Sequence, residues 1–187
     1  MNVGPSFEGR VDLARVYDYA ILKLFKLLLG KFDHLPLNKA TMTSLSFTLH
    51  PQLAADTLVV GNLNLCQVLL MNESRYPWFI LVPQRAKISE IYQLTNTERA
   101  QVWEESDLLS RQLMQLFQAD KLNIAALGNL VPQLHIHHIA RFKTDAAWPT
   151  PVWGKFKPDA YTPAAAEQLI QTMRQALGLE LNSPSPA

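Results

Sequence analysis

Residues 133–141 read Gln-Leu-His-Ile-His-His-Ile-Ala-Arg, an alternation of polar and apolar side chains that predicts a half-buried β-strand. On such a strand Gln133, His135 and His137 share one face, while His138 points to the other. Alternate residues of a strand have Cα atoms roughly 6.5–7 Å apart. Two imidazoles at this separation can act as a nucleophile beside a hydrogen-bond donor, or as two ligands of one metal ion.

The composition is that of an ordinary globular domain. Hydrophobic residues make up 48% of the 187 positions and charged residues 18%. The net charge of +1 excludes a broad basic field, so we expect no nucleic-acid partner. The lone cysteine, Cys66, rules out an intrachain disulfide and fits a reducing compartment, which predicts a cytoplasmic protein. Its apolar surroundings favour a small buried side chain over a reactive thiol.

Residues 1–42 form an N-terminal extension that carries no chemical motif and that we expect to be non-essential. Apolar clusters within residues 11–32 predict an extra helical segment, but three lysines interrupt them. The longest uncharged run is far shorter than the ~20 residues of a spanning helix, so we expect no stable membrane insertion. Two aspartates and the lack of a small-residue cleavage site argue against a signal peptide. A packed helix, an interfacial helix, or residues upstream of a natural start at Met42 all stay open.

From Phe47 onward the pattern becomes regular. Residues 57–62, 65–71 and 78–82 are apolar-rich runs that predict three strands. The connection at 72–77 contains Asn, Ser and Pro, which favour turns. Three short strands with tight links predict an antiparallel meander.

The second half combines helices with two further strands. Thr95 and Glu98 have the spacing of a capping box, and apolar residues recur at helical spacing behind them to about Asp120. Residues 122–127 and 134–140 predict two strands, and a last helix is expected over 163–177. The tail 182–187 is expected to fray. This order of elements predicts an α+β domain with its helices on one side of the sheet.

Several of these features together resemble the histidine triad (HIT) superfamily of nucleotide-binding hydrolases and transferases. The features are Asn123, Gly128-Asn129, Gln133-Leu-His135-Ile-His137 and Arg141. The signature of the family is His-φ-His-φ-His-φ-φ, where φ is apolar. The likeness spans roughly residues 57–154 and includes the long helix and Trp148-Pro149. It implies a HIT-like five-stranded antiparallel sheet with a long and a C-terminal helix. Residues 43–160 would be the nucleotide-binding catalytic domain, and 161–187 the C-terminal helix and tail.

The resemblance also implies roles for the triad positions. The central histidine of the family is its nucleophile, and His135 occupies that place. The third histidine contacts the phosphate or the leaving group, and His137 occupies that place. The first position is Gln133, which can donate and accept hydrogen bonds but cannot carry a proton charge near neutral pH.

The nucleotide-binding residues implied by the resemblance lie before the triad. Asn123, Gly128 and Asn129 are expected to bind phosphate, although Asn129 can equally cap the hairpin turn. This chain is one residue shorter than many relatives between Asn123 and the triad. Asn72 is expected either to hydrogen-bond a ribose or to act as a turn residue.

Two further interpretations concern residues beside the triad. His138, on the opposite face of the strand, is expected to be a core or interface histidine. Trp148 and Trp153 are expected to form a pocket wall or a dimer contact, or simply to pack a C-terminal arm.

The implied function is hydrolysis or transfer of a nucleoside 5′-phosphoryl group through a nucleotidyl-histidine intermediate. Dinucleoside polyphosphates and nucleoside phosphoramidates are within the range of the family, and we expect a homodimer without a cofactor. One alternative is a nucleotide-binding module with reduced or no catalysis, which the glutamine at position 133 favours. A second is a metal-binding His-x-His protein. That alternative needs further ligands, and His138 is the last histidine of the chain.

Overall fold

The computed structural model describes residues 46–179, so the predicted N-terminal helical segment and the frayed tail lie outside the described residues. The described part contains three α-helices, five strands and a short 3₁₀ helix. In chain order the elements are α1 (Pro51–Asp56), β1 (Thr57–Asn62), β2 (Cys66–Met71), β3 (Trp78–Pro83), the 3₁₀ helix (Ile91–Gln93), α2 (Asn96–Phe117), β4 (Lys121–Ala125), β5 (Ile136–Arg141) and α3 (Pro163–Ala176).

The five strands form one antiparallel sheet in the order β1-β2-β3-β5-β4. The predicted α+β class and the meander of the first three strands are therefore confirmed. The histidine strand β5 lies inside the sheet, where His137 pairs with Ile80 of β3 and with Ala125 of β4. Neighbours on both sides fix the position of this strand, and β1 and β4 are left as the edge strands.

Each face of the sheet carries its own apolar cluster. On one face, residues such as Phe79 and Ile136 pack against α2 and α3, the two long helices. On the other face, Ile80 and Ile139 pack against Leu53 of α1 and against the segment that follows β5. Alternate residues of β5 therefore belong to different environments, as the two-residue period predicts. His137 faces the side that the long helices leave open.

Helix α2 begins where the sequence predicts. The hydroxyl of Thr95 accepts a hydrogen bond from the backbone of Glu98, and the Glu98 carboxylate accepts one from the backbone of Thr95, so the capping box is confirmed. The helix ends at Phe117, three residues before the predicted end, because Gln118 adopts a left-handed conformation with φ 50°.

Buried Glu105 connects α2 to the start of β2. Its carboxylate oxygens accept hydrogen bonds from the backbone nitrogens of Leu65 and Cys66, at 2.7 and 2.9 Å. The Cys66 side chain is completely buried beneath this contact, as predicted. Burial raises the pKa of the Cys66 thiol, and the neighbouring Glu105 carboxylate raises it further. The single thiol is thus a core side chain held in its protonated form.

The predicted strand over 134–140 is wrong at its start, because β5 begins at Ile136. The backbone nitrogen of Leu134 donates to the carbonyl of Ile88, in the loop after β3, at 2.9 Å. This contact holds residues 133–135 outside the strand ladder. Strand β4 likewise ends two residues earlier than predicted.

Candidate active site

A cleft of about 410 Å³ opens on the face of the sheet that carries His137. A smaller polar pocket of about 160 Å³ adjoins it. The two share a set of residues from the β4–β5 loop and the start of the histidine segment, namely Leu127, Gly128, Asn129 and His135. The rest of the cleft is lined by Leu53, Asp56, Met71, Trp78, Ile80, Leu130, Val131, His137 and Trp153. The structure therefore brings both predicted histidines to one concave site.

His135 immediately precedes β5 and is 6% exposed. Its Nδ1 lies 2.7 Å from the carbonyl oxygen of Gln133. A carbonyl only accepts hydrogen bonds, so Nδ1 carries the proton and donates. The Nε2 atom of the neutral ring is then unprotonated. An imidazole in this tautomer has a lone pair on Nε2 with which to attack an electrophile.

His137 has the opposite arrangement. The indole Nε1–H of Trp78 donates to Nδ1 of His137 at 2.9 Å, which leaves the ring proton on Nε2. Burial, together with the neighbouring His135 and His138, lowers the pKa of His137 to about 3. His137 is therefore neutral around neutral pH and presents an N–H donor rather than a charge.

Aromatic rings enclose this pair of imidazoles. The His135 and His137 ring centroids are 4.9 Å apart and the rings meet edge to face. The rings of Trp78 and Trp153 also meet the His137 ring edge to face, with centroid distances of 5.4 and 5.6 Å. The predicted pocket-wall role of Trp153 matches this position, whereas Trp148 contributes to a separate packing contact with Arg141.

Arg141, at the end of β5, holds the segment that brings Trp153 to the cleft. Arg141 is 1% exposed, and its guanidinium forms a two-point ion pair with Asp145 at 2.7 and 3.0 Å. It also donates to the carbonyl of Thr150 at 3.0 Å. A buried two-point pair fixes geometry in both partners. Arg141 is thus a structural residue of the site.

His138 lies on the opposite face of β5 and is completely buried, which confirms its predicted place in the core. Its Nδ1 donates to the carbonyl of Ile136, and its Nε2 accepts from the Ser106 hydroxyl of α2 at 2.7 Å. Burial lowers the pKa of His138 to about 4. This histidine connects the sheet to the helix and has no part in the cleft.

The side chain of Gln133 lines the small pocket beside His135 but makes its hydrogen bonds elsewhere. Its Oε1 accepts from the backbone nitrogen of His50 at 2.8 Å, and its Nε2 donates to the carbonyl of Thr48 at 3.0 Å. The amide therefore ties the segment before α1 to the residue whose carbonyl orients His135. One amide hydrogen remains for another acceptor.

The four predicted nucleotide-binding residues fall into two groups. Gly128 and Asn129 line both pockets beside His135. A side-chain carbon added at Gly128 would lie 3.0 Å from the Val131 carbonyl, so the loop closes tightly at this point. Asn123 and Asn72 do not line either pocket. The Oδ1 of Asn123 accepts a hydrogen bond from Nη1 of Arg141 at 2.7 Å. The Oδ1 of Asn72 accepts one from the backbone nitrogen of Tyr161 at 3.0 Å.

Trp78, Asp56 and the residues Ser89 and Glu90 are components of the site that the sequence interpretation missed. The pairing of Trp78 with Ile139 sets its indole diagonally across from His137. This contact depends on which strands are neighbours and on their register. The residues of a single strand do not show with which other strand it pairs. The aromatic residue at the start of its run was the one available signal.

Two further features of residues 46–179 concern metal ions and membranes. Within this range no three side chains of His, Cys, Asp or Glu converge as a metal-binding group. The helices of the same range are too short or too polar to cross a membrane.

Comparison with known proteins assigns the family. The HIT domain model matches residues 52–144. A histidine triad protein of Marinobacter aquaeolei is 49% identical and superimposes with a TM-score of 0.70, covering 71% of this chain and 97% of that chain. A histidine triad protein of Bradyrhizobium japonicum is 45% identical, with a TM-score of 0.69 and coverages of 71% and 98%. A third, from Sinorhizobium meliloti, is 42% identical, with a TM-score of 0.68 and coverages of 70% and 96%. A comparison with functionally curated proteins found no significant match. The domain match and the three close structural relatives establish that the chain belongs to the HIT, or histidine triad, family.

Proposed function

We propose that the protein is an enzyme that hydrolyses or transfers a nucleoside 5′-phosphoryl group, with His135 as the nucleophile. Membership of the HIT family supports the general class of nucleotide-binding hydrolases and transferases. The observation that carries the specific proposal is the hydrogen bond from His135 Nδ1 to the Gln133 carbonyl. It leaves Nε2 unprotonated at the junction of the two pockets, where a phosphorus atom can be approached.

In the first step, Nε2 of His135 attacks the α-phosphorus and the bond from phosphorus to the leaving group breaks. The leaving group departs with the electron pair and takes a proton from water. The nucleotidylated ring keeps its proton on Nδ1 and is therefore a cation. The Gln133 carbonyl, 2.7 Å from Nδ1, stabilises that charge because its oxygen carries a partial negative charge.

In the second step, water or another acceptor attacks the same phosphorus and loses a proton. The N–P bond breaks, its electron pair returns to Nε2, and the neutral imidazole is restored. The oxygens of the phosphoryl group carry negative charge through both steps, so donors aimed at them contribute most of the catalysis. The Nε2–H of His137, the backbone near Gly128 and the amide of Asn129 are the donors that line the site.

The larger cleft suits the nucleoside. Its apolar walls, including Leu53, Met71 and Ile80, offer a surface for a base, and Asp56 offers a carboxylate for hydroxyl groups. Phosphate binding by Asn123 and ribose binding by Asn72 remain proposals. Each requires the amide nitrogen to donate while its oxygen stays bonded as described.

For substrates we propose dinucleoside polyphosphates or nucleoside phosphoramidates. A second candidate function is nucleotide binding with reduced or no catalysis. The observation that favours it is the position of Gln133, which cannot titrate and whose amide is engaged with Thr48 and His50.

We also propose a cytoplasmic homodimer. Strand β4 is an edge of the sheet with Ile124 44% exposed, and α2 exposes Trp103 and Met114. An uncovered edge strand with apolar side chains is a surface that proteins usually cover, and a two-fold pair of sheets covers it.

The test compares turnover of adenosine-containing dinucleoside polyphosphates and phosphoramidates by the wild-type protein and by His135→Ala. We expect a loss of several orders of magnitude in kcat, since no other group replaces the nucleophile. Mass spectrometry of quenched reactions should find a nucleotidyl adduct on the wild-type protein and none on the variant. Activity of His135→Ala within tenfold of wild type would exclude His135 as the nucleophile. Nucleotide binding by a wild-type protein without turnover would favour the second candidate.

A further inference from the structure

We propose that Trp78 is a positioning residue that fixes His137 as a neutral hydrogen-bond donor with its proton on Nε2. This inference rests on the proposed function, because the donor matters only if a phosphoryl group is bound beside His135. It adds a residue from a strand that carries none of the triad positions.

The contact between the two side chains is direct and buried. Trp78 is the first residue of β3 and is 6% exposed. The β3–β5 register pairs Trp78 with Ile139 and Ile80 with His137, so the indole lies diagonally across from the imidazole. Its Nε1 donates to Nδ1 of His137 at 2.9 Å.

The chemical identity of the partner makes this contact selective. An indole nitrogen can only donate, so His137 Nδ1 must accept, and the proton of the neutral ring must be on Nε2. A hydroxyl, an amide or a second imidazole at the same place can donate or accept and would permit either tautomer. Tryptophan at this position is thus compatible with only one tautomer of neutral His137.

The two facing imidazoles are therefore held in opposite tautomers. A carbonyl fixes His135 with its lone pair on Nε2, and an indole fixes His137 with its proton on Nε2. Their rings are 4.9 Å apart between centroids. One ring presents the nucleophile, while the other presents an N–H to an oxygen of the same phosphoryl group. In this arrangement His137 stabilises charge but transfers no proton.

The experiment uses the full chain labelled with ¹⁵N-histidine. Two-bond ¹H–¹⁵N correlation spectra distinguish protonated from unprotonated ring nitrogens, and His137→Gln identifies the His137 signals. In the wild-type protein at neutral pH we expect an unprotonated Nδ1 and a protonated Nε2. Trp78→Phe keeps an aromatic ring but removes the donor, so both tautomers should be populated. Trp153→Phe is the matched control for the spectra, because among residues 46–179 the indole N–H of Trp153 has no hydrogen-bond partner. The control should leave the His137 signals in the wild-type pattern.

Kinetics provide the second readout. We expect kcat of Trp78→Phe to fall about tenfold or more, with KM changed less than twofold, because a donor to developing charge acts mainly in the transition state. A wild-type His137 with a protonated Nδ1 would overturn the proposal even if Trp78→Phe does not fold. An unchanged tautomer in a folded Trp78→Phe protein would also overturn it. The expected tautomers in a wild-type protein that turns over no nucleotide would support the positioning by Trp78 while refuting the proposed enzyme activity.

Discussion

At the scale of single residues, Gln133 contributes a carbonyl and an amide that do different things. The carbonyl orients His135, and the amide binds the backbone of Thr48 and His50. A replacement of the side chain keeps the carbonyl but changes how firmly it is held. Mutation of the Gln133 side chain therefore removes its hydrogen bonds to Thr48 and His50 but keeps the carbonyl that orients His135.

We expect Gln133→Leu to lower the free energy of unfolding by about 1–3 kcal/mol, because the partly buried nitrogen of His50 and the exposed carbonyl of Thr48 lose two hydrogen bonds, each contributing about 0.5–1.5 kcal/mol. Turnover should fall as the His135 loop loosens. Gln133→His should be tolerated or raise turnover, since an imidazole can still bond one of these partners. Urea unfolding and kcat/KM measure the two effects. Gln175→Leu, at an exposed position of α3, is the control and should change stability by less than about 0.5 kcal/mol. Wild-type behaviour of both Gln133 variants would place the side chain outside the site.

A pH dependence of stability follows from the two buried histidines. Burial lowers the pKa of His137 to about 3 and that of His138 to about 4, whereas an unfolded histidine titrates near 6.5. Their contribution to stability is therefore present above pH 6.5, and it is lost as the pH falls toward 4 for His138 and toward 3 for His137, because protons then bind the unfolded chain first. Between pH 7 and 5 the loss should be on the order of 1–2 kcal/mol per histidine. Urea midpoints measured across this range test it.

His137→Gln should flatten that pH dependence, because the variant lacks one of the two groups. Comparison of the slopes of wild type and variant isolates the contribution of His137. Identical slopes of stability against pH would mean that the pKa of His137 is the same in the folded and the unfolded protein.

Sequence reasoning predicted which histidines meet and which one faces the core, because strand alternation is local. It did not predict the partners of the three amide side chains. Gln133 bonds to a residue 85 positions away, Asn72 to one 89 positions away, and Asn123 to one 18 positions away. Such contacts depend on the assembled fold. A motif shows that an amide side chain is present, but it does not show which backbone or side-chain group forms a hydrogen bond with it.

At the scale of elements, Glu105 of α2 provides a sharp test of how the long helix is fixed to the sheet. Glu105→Ala would leave the buried backbone nitrogens of Leu65 and Cys66 without acceptors. We expect a loss of about 2–4 kcal/mol in the free energy of unfolding. Glu104→Ala, the exposed neighbour on the same helix, is the matched control and should change stability by less than about 0.5 kcal/mol. Urea unfolding of the two variants gives the comparison, and equal effects would show that the Glu105 contact is dispensable.

The sequence predicted the long helix α2 but not the short helix α1. Helix α2 has a capping box and buried residues at helical spacing, so its pattern is evident in the sequence. Helix α1 has six residues, of which Leu53 alone is buried, and a helix this short has no detectable period. The start of β5 was misplaced because the alternation continues through residues 133–135, where the loop after β3 captures the backbone of Leu134.

At the scale of the whole molecule, the proposed homodimer is tested by size-exclusion chromatography with light scattering. We expect twice the mass of the chain at micromolar concentration. Ile124→Lys places a charge on the edge strand β4 and should shift the protein to a monomer. Val59→Lys, an equally exposed position on the opposite edge strand β1, is the control and should remain dimeric. A wild-type monomer would refute the proposal.

We predict that a chain starting at Met42 keeps nucleotide turnover close to that of the full chain. The family match begins at residue 52, and the backbone groups that hold Gln133 belong to Thr48 and His50, which this shorter chain retains. Circular dichroism establishes that the shortened protein is folded, and kcat/KM then measures the effect. A folded but inactive product would mean that residues 1–41 contribute to the site.

The burial of Cys66 has a practical consequence for biophysical work. A thiol must be deprotonated and accessible to react with a maleimide, and this one is neither. Cys66 is the one native cysteine of the chain. A cysteine introduced at an exposed position would therefore be the single reactive thiol. Fluorophores or spin labels can then be attached at one chosen point in the native protein, without first removing its own cysteine.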